Sequence, residues 1–169
     1  MKKILFSIAV LFVFLASVWS QKADEVKLSY REEGSILPPF RVIDTLRKEY
    51  TQDDFKSKGN HFFLFMFNPT CGHCMEMAIL MRDNIDYFKE NKILFLSGPQ
   101  MMPYLNSFYH ATKINEAPQI VVGIDSAKTI DALYSYKTLP QINIYDKKDR
   151  LVKIFYGDTP LDSLKKYVP

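Results

Sequence analysis

Apolar residues in this chain fall into short blocks separated by polar segments bearing proline and glycine, and the blocks show two periodicities. His61 to Phe67 is a nearly continuous apolar and aromatic run closed by Asn68-Pro69-Thr70. A run this short, without polar alternation, predicts a strand buried on both faces. Beyond it, Cys74, Ala78, Met81, Ile85 and Phe88 recur at spacings of four and three, while Asp83, Asp86 and Glu90 fall elsewhere. That pattern predicts an amphipathic helix. Ile93-Leu94-Phe95-Leu96 and Ile120-Val121-Val122 are further buried-strand candidates. Between them, Pro103 to Ala111 predicts a helix with Leu105, Phe108 and Tyr109 as its apolar positions.

The flanks follow other rules. Residues 21–33 are polar with a Val26, Leu28, Tyr30 alternation, which suggests a lead-in or an edge strand. Gly34 to Pro39 reads as a loop and Phe40 to Asp44 as a strand, and Thr51 with Asp54 three residues later predicts a capping box opening a helical turn through Phe55. Ser126 is placed to cap a helix whose Ile130, Leu133 and Tyr134 share one face. Gln141 to Tyr145 and Leu151 to Tyr156 alternate in period two around a charged turn, the pattern of an antiparallel hairpin. Thr159-Pro160 then starts a final helix with Leu161 and Leu164 facing inward. Alternating strands and helices imply a parallel sheet core, to which the hairpin adds antiparallel strands.

The candidate chemistry sits where the central strand meets its helix. Cys71-Gly72-His73-Cys74 holds the chain's only two cysteines. Unpaired N–H groups and the positive dipole end of the helix stabilise a thiolate at the first of them. Cys71 is therefore the expected nucleophile, and Cys74 is near enough to attack a mixed disulfide on Cys71 and resolve it. His73, within the intervening Gly72-His73 pair, can add positive charge or a hydrogen bond to the Cys71 thiolate and so tune the couple toward the reduced form. A zinc site would need further ligands, for which only His61, His73 and His110 are available. A purely structural disulfide closing so short a loop would remove little chain entropy. The redox reading is the stronger, and it calls for no cofactor and no metal.

The first residues change the picture of the compartment. Met1-Lys2-Lys3 precedes an apolar stretch from Ile4 to Val18, interrupted only by Ser7 and Ser17, and small residues follow near Ser20. Residues 1–20 have the form of a secretory signal peptide, with an uncleaved membrane anchor as the alternative. No cysteine stands at the cut, so no lipid anchor is indicated. Removing this segment takes away two of the 22 basic residues and none of the 19 acidic ones, so the net charge falls from +3 to +1. A mature chain this close to neutral offers no case for nucleic-acid binding. The remaining length suits one domain with a real core. Residues 21–33 are then the lead-in and residues 34–169 the folded domain of an exported, periplasmic protein.

From residue 34 onward the order of features resembles the thioredoxin superfamily, most closely its exported TlpA-like branch of thiol-disulfide oxidoreductases. The likeness rests on the Pro39-Phe40 region, the central strand, the CxxC pair opening a helix, an inserted helical segment, Thr138-Leu139-Pro140 and the terminal hairpin. It implies an α/β thioredoxin-like fold with a central mixed sheet and helices on both faces. It also implies that Pro140 is cis and lies beside Cys71, with Thr70 and Leu139 lining the groove for an extended substrate. Protein thiols or disulfides and a redox-recycling protein are the implied partners. A thioredoxin-like binding module with little turnover is the alternative.

The chain departs from the pattern in several places. Thr70 stands where thioredoxins usually carry tryptophan, and Trp19 belongs to the signal segment. Phe65 and Met77 occupy positions where relatives place an acid, so no proton acceptor for Cys74 is evident. Glu76 lies two residues past Cys74, about 200° around an ideal helix, and is expected to face solvent. Gly72-His73 resembles the pair of protein disulfide isomerase more than the Gly-Pro of thioredoxin. His61 and His110 are assigned no role. The methionines at 66, 75, 77, 81, 101 and 102 are read as core filling, with Met75 next to the cysteines.

Overall fold

The computed structural model describes residues 30–56, 60–128, 130 and 138–168. The signal segment, most of the lead-in, and Leu133 and Tyr134 lie outside these residues. Tyr30 to Glu33, the described end of the lead-in, form turns rather than a strand.

Seven strands form one sheet: β1 (Arg41–Ile43), β2 (Glu49–Thr51), β3 (Phe62–Met66), β4 (Lys92–Ser97), β5 (Ile120–Asp125), β6 (Gln141–Tyr145) and β7 (Leu151–Tyr156). Their order is β2-β1-β5-β4-β3-β6-β7. β3, β4 and β5 run parallel, while β6 pairs antiparallel with β3 and β1 pairs antiparallel with β5. The sheet is therefore mixed. β3 is buried at every position, as an unbroken apolar run between two strands requires. Three α-helices are described: α1 (Gly72–Asp83), α2 (Leu105–Thr112) and α3 (Leu161–Lys165).

Successive residues of β3 feed two cores, because side chains alternate across a strand. Phe63 and Phe65, with Phe67 just beyond the strand, face the layer holding Cys74, Met77, Ala78 and Met81 of α1, Leu105 and Phe108 of α2, and Leu164 of α3. Phe62, Leu64 and Met66 face the other side, with Phe40, Phe55, Ile130 and Tyr145. Phe65 stacks on Phe95 with ring centroids 4.4 Å apart and planes 8° from parallel, and Phe67 lies 4.7 Å from Phe108. Each fully buried side chain of this kind contributes roughly 1.5–3 kcal/mol by leaving water.

Several elements differ from the sequence reading. β2 was not anticipated. It follows a turn in which the Asp44 carboxylate accepts the N–H groups of Leu46 and Lys48, and Arg47 takes a positive φ of 66° with no glycine to signal it. The helix carrying the cysteines ends at Asp83, and Phe88 reaches the core from a separate 3₁₀ turn, Ile85–Phe88. Asn84 marks the break, its side chain donating to the Leu80 carbonyl. α2 starts at Leu105 after a 3₁₀ stretch, Pro99–Tyr104, that contains Pro103. Asp125, not Ser126, accepts the Ala127 and Ile130 N–H groups, while the Ser126 hydroxyl donates to the Arg41 carbonyl. Thr51 and Asp54 do form the expected capping box, at the head of a 3₁₀ turn through Phe55. Met66, Met77 and Met81 are buried, whereas Met75, Met101 and Met102 are half-buried.

Candidate functional site

The strand-to-helix junction is built by Asn68. Its side-chain oxygen accepts the Thr70 N–H and hydroxyl, both at 2.9 Å, and its carbonyl accepts the Cys71 N–H at 3.0 Å. Such an Asx turn folds the chain sharply and delivers Cys71 in an extended conformation to the N-cap of α1. Ser97, donating from its hydroxyl to the Phe67 carbonyl at 2.8 Å, ties the end of β3 to β4. Sequence reasoning treated Asn68 only as a strand breaker. The Asn-Pro-Thr run before the cysteine was the available signal.

The two thiols are free, and their settings differ. Cys71 is half-buried at the helix start, and no acidic side chain lies in the first turn of α1. Cys74, one turn on, is fully buried. Burial pushes its thiol up to about 12, with hydrogen bonding to Cys71, the Cys71 charge and the Asp158 charge adding to the rise. A backbone hydrogen bond with Asn68 opposes it. Phe65 and Met77, at the positions where an acid was sought, are both buried in the apolar layer that also holds Cys74.

His73 is exposed, and its ring engages a residue that sequence reasoning did not identify. Nδ1 lies 3.0 Å from Oδ2 and 3.1 Å from Oδ1 of Asp158, and 3.8 Å from Oε2 of Glu76. Glu76 is exposed, as expected, yet it faces His73. Asp158 follows β7 in the turn made by Gly157, and no sequence spacing links it to His73. Among the described residues, His73, Glu76 and Asp158 bring one ligand atom each within 4.8 Å of one another, a grouping that could hold a cation, although all three are exposed. Gly72 leaves its side of the helix open, since a Cβ there would meet nothing within 4 Å.

The Leu139–Pro140 peptide is cis. Pro140 is buried, and its carbonyl accepts the Gly157 N–H at 2.8 Å. The next residue, Gln141, pairs with Met66, the last residue of β3. Pro140 therefore lies at the same end of the sheet as the loop leading to Cys71. Leu139 packs against both cores, and Thr70 is exposed. His61 packs edge-on against Tyr167, and His110 is exposed on α2.

The chain matches no protein-family model and no curated protein. Solved structures do resemble it. A protein proposed to be a disulfide isomerase in Bacteroides thetaiotaomicron matches with a TM-score of 0.66 and 19% identity, over 80% of this chain and 86% of that one. A thiol:disulfide interchange protein from Bacteroides sp. matches at 0.65 and 17% identity, over 82% and 91% of the two chains. The thioredoxin domain of a thiol-disulfide oxidoreductase from Bacteroides vulgatus matches at 0.63 and 21% identity, over 82% and 99%. The fold is thioredoxin-like.

Proposed function

We propose that this protein is an exported thiol-disulfide oxidoreductase that exchanges disulfides with protein substrates through Cys71 and Cys74. One observation carries the reading: two free thiols sit one helical turn apart, the first accessible at the N-cap of a twelve-residue helix and the second sealed beneath it. That asymmetry supports an attacking role for Cys71 and a resolving role for Cys74. The Cys71 thiolate attacks a substrate disulfide, forming a Cys71–substrate bond and expelling one substrate thiolate. Cys74 then loses its proton and attacks the Cys71 sulfur, which releases the second substrate thiolate and leaves a Cys71–Cys74 disulfide. The substrate is reduced by two electrons and the protein oxidised by two. The reverse sequence oxidises a substrate dithiol.

The high position of Cys74 fits this order. Two of the influences that raise it, hydrogen bonding to Cys71 and the Cys71 charge, disappear once Cys71 is bonded to substrate. Cys74 thus becomes a better nucleophile at the moment it is needed. His73 and Gly72 tune the couple in this reading, while Thr70, Leu139 and Pro140 line the groove where an extended substrate pairs.

Export rests on the charged start and apolar stretch of residues 1–20. No helix among the described residues is long and apolar enough to cross a membrane. The neighbouring structures named for disulfide interchange support the redox reading. A Cys74→Ala variant tests it in the native compartment. It should accumulate mixed disulfides through Cys71 that reductant releases, and the absence of any such adduct would contradict the reading.

A further inference from the structure

His73, Glu76, Met77 and Leu80 recur at spacings of three and four and so share one face of α1. Against that face the segment Asp158-Thr159-Pro160, between β7 and α3, closes an open groove of about 340 Å³ lined by Glu76, Met77, Leu80, Asp158, Thr159 and Pro160. Its floor is apolar, with Met77 buried and Leu80 half-buried. Its rim carries two exposed carboxylates, Glu76 and Asp158, and among the described residues no lysine or arginine lines it. His73 is the group paired with both. Neither Leu139 nor Pro140 lines this groove.

We propose that this groove is a second substrate-binding surface, which takes a polypeptide segment carrying an apolar side chain beside a lysine or arginine close to the cysteine that Cys71 engages. The inference rests on the dithiol reading and names the substrate class for it. An apolar floor receives the aliphatic side chain and the stem of the basic one, while the carboxylates meet its charged head. Spacing sets the register. Met77 lies six residues beyond Cys71, about 9 Å along the axis at 1.5 Å per residue. An extended chain covers that distance in about three residues.

The test uses peptides whose single cysteine is capped by thionitrobenzoate, mixed with the protein carrying Cys74→Ala. The Cys71 thiolate attacks the peptide sulfur, the peptide–thionitrobenzoate bond breaks, a Cys71–peptide disulfide forms, and thionitrobenzoate leaves as a coloured thiolate. Three peptides place Leu-Lys, Leu-Glu or Ser-Ser three residues from the cysteine, on either side. Each rate is divided by that of glutathione with the same peptide, which removes differences intrinsic to the peptide. Leu-Lys should react about fivefold faster than Leu-Glu at low salt, with the gap closing as salt rises. Glu76→Lys should reverse the order. Equal normalised rates, or a preference untouched by Glu76→Lys, would overturn the groove assignment. Failure of every peptide to release thionitrobenzoate would instead overturn the dithiol reading beneath it.

Discussion

Nδ1 of His73, at the start of α1, lies 3.0 Å from Oδ2 of Asp158, a residue 85 positions later in the turn after β7. The pair joins the helix that carries both cysteines to the terminal hairpin. It also sets two opposing influences side by side. A protonated imidazole favours a neighbouring thiolate, whereas the Asp158 charge adds to the rise of Cys74.

Asp158→Asn removes a charge that raises the Cys74 pKa, so Cys74 should ionise more readily when it resolves a mixed disulfide. An exposed charge is worth up to about 1 kcal/mol, or up to about fivefold in the rate of resolution. The rate at which a peptide leaves its Cys71 mixed disulfide measures this, and slower release in Asp158→Asn would contradict the sign. His73→Ala removes a group placed to favour the Cys71 thiolate and should lower the reduction potential, read by equilibration with glutathione.

Alkylation distinguishes the thiols. With its thiol at about 12, Cys74 is ionised in only about one molecule in 10⁵ at pH 7, and it is buried besides. Brief iodoacetamide treatment of the reduced protein followed by mass mapping should find the label on Cys71. Preferential labelling of Cys74 would reverse the assigned roles.

The same burial makes stability depend on alkaline pH. The Cys74 pKa is raised on folding from 9.0 to about 12, so the native state holds its proton more tightly than the unfolded chain. Stability is then independent of this group below about pH 9 and falls as pH climbs toward 12, by about 4 kcal/mol at most. Denaturant midpoints at pH 8 and pH 11 should differ more in the reduced wild type than in Cys74→Ala, where Cys71, the tyrosines and the lysines remain to titrate. Equal differences would show that Cys74 is not held protonated by the fold.

Phe65 stands where an acid was sought and serves the core instead. Replacing it with alanine removes a fully buried ring stacked on Phe95 and should cost about 3–5 kcal/mol, read as a lower urea midpoint. A loss below about 1 kcal/mol would mean that the stack is not what binds β3 to β4 on this face.

The parts of the molecule that were legible in the sequence are those whose signal is local. β3 falls inside an uninterrupted apolar run and β4 is centred on one, Ile93 to Leu96, the Thr51–Asp54 box spans four residues, and Cys71 and Cys74 mark the helix start by their position after Asn68-Pro69-Thr70. The cis Leu139–Pro140 bond became legible only through the family resemblance, because the residues around it carry no isomer preference strong enough to read alone. What escaped was set by tertiary contact. β2 exists because Glu49–Thr51 finds a partner in β1, and its turn uses a left-handed Arg47 where glycine or asparagine would have announced it. Asp125 displaced Ser126 as the acceptor because the last strand residue reaches both N–H groups ahead of it. Asp158 meets His73 through sheet topology, which no helical or strand period encodes.

Insulin reduction tests the central claim most directly. With dithiothreitol as the terminal reductant, the wild-type protein should accelerate precipitation of the insulin B chain at catalytic concentrations. Cys71→Ser should abolish the acceleration, and Cys74→Ala should stall after forming a mixed disulfide. Wild-type protein no faster than dithiothreitol alone, or a Cys71→Ser variant as fast as wild type, would contradict the account.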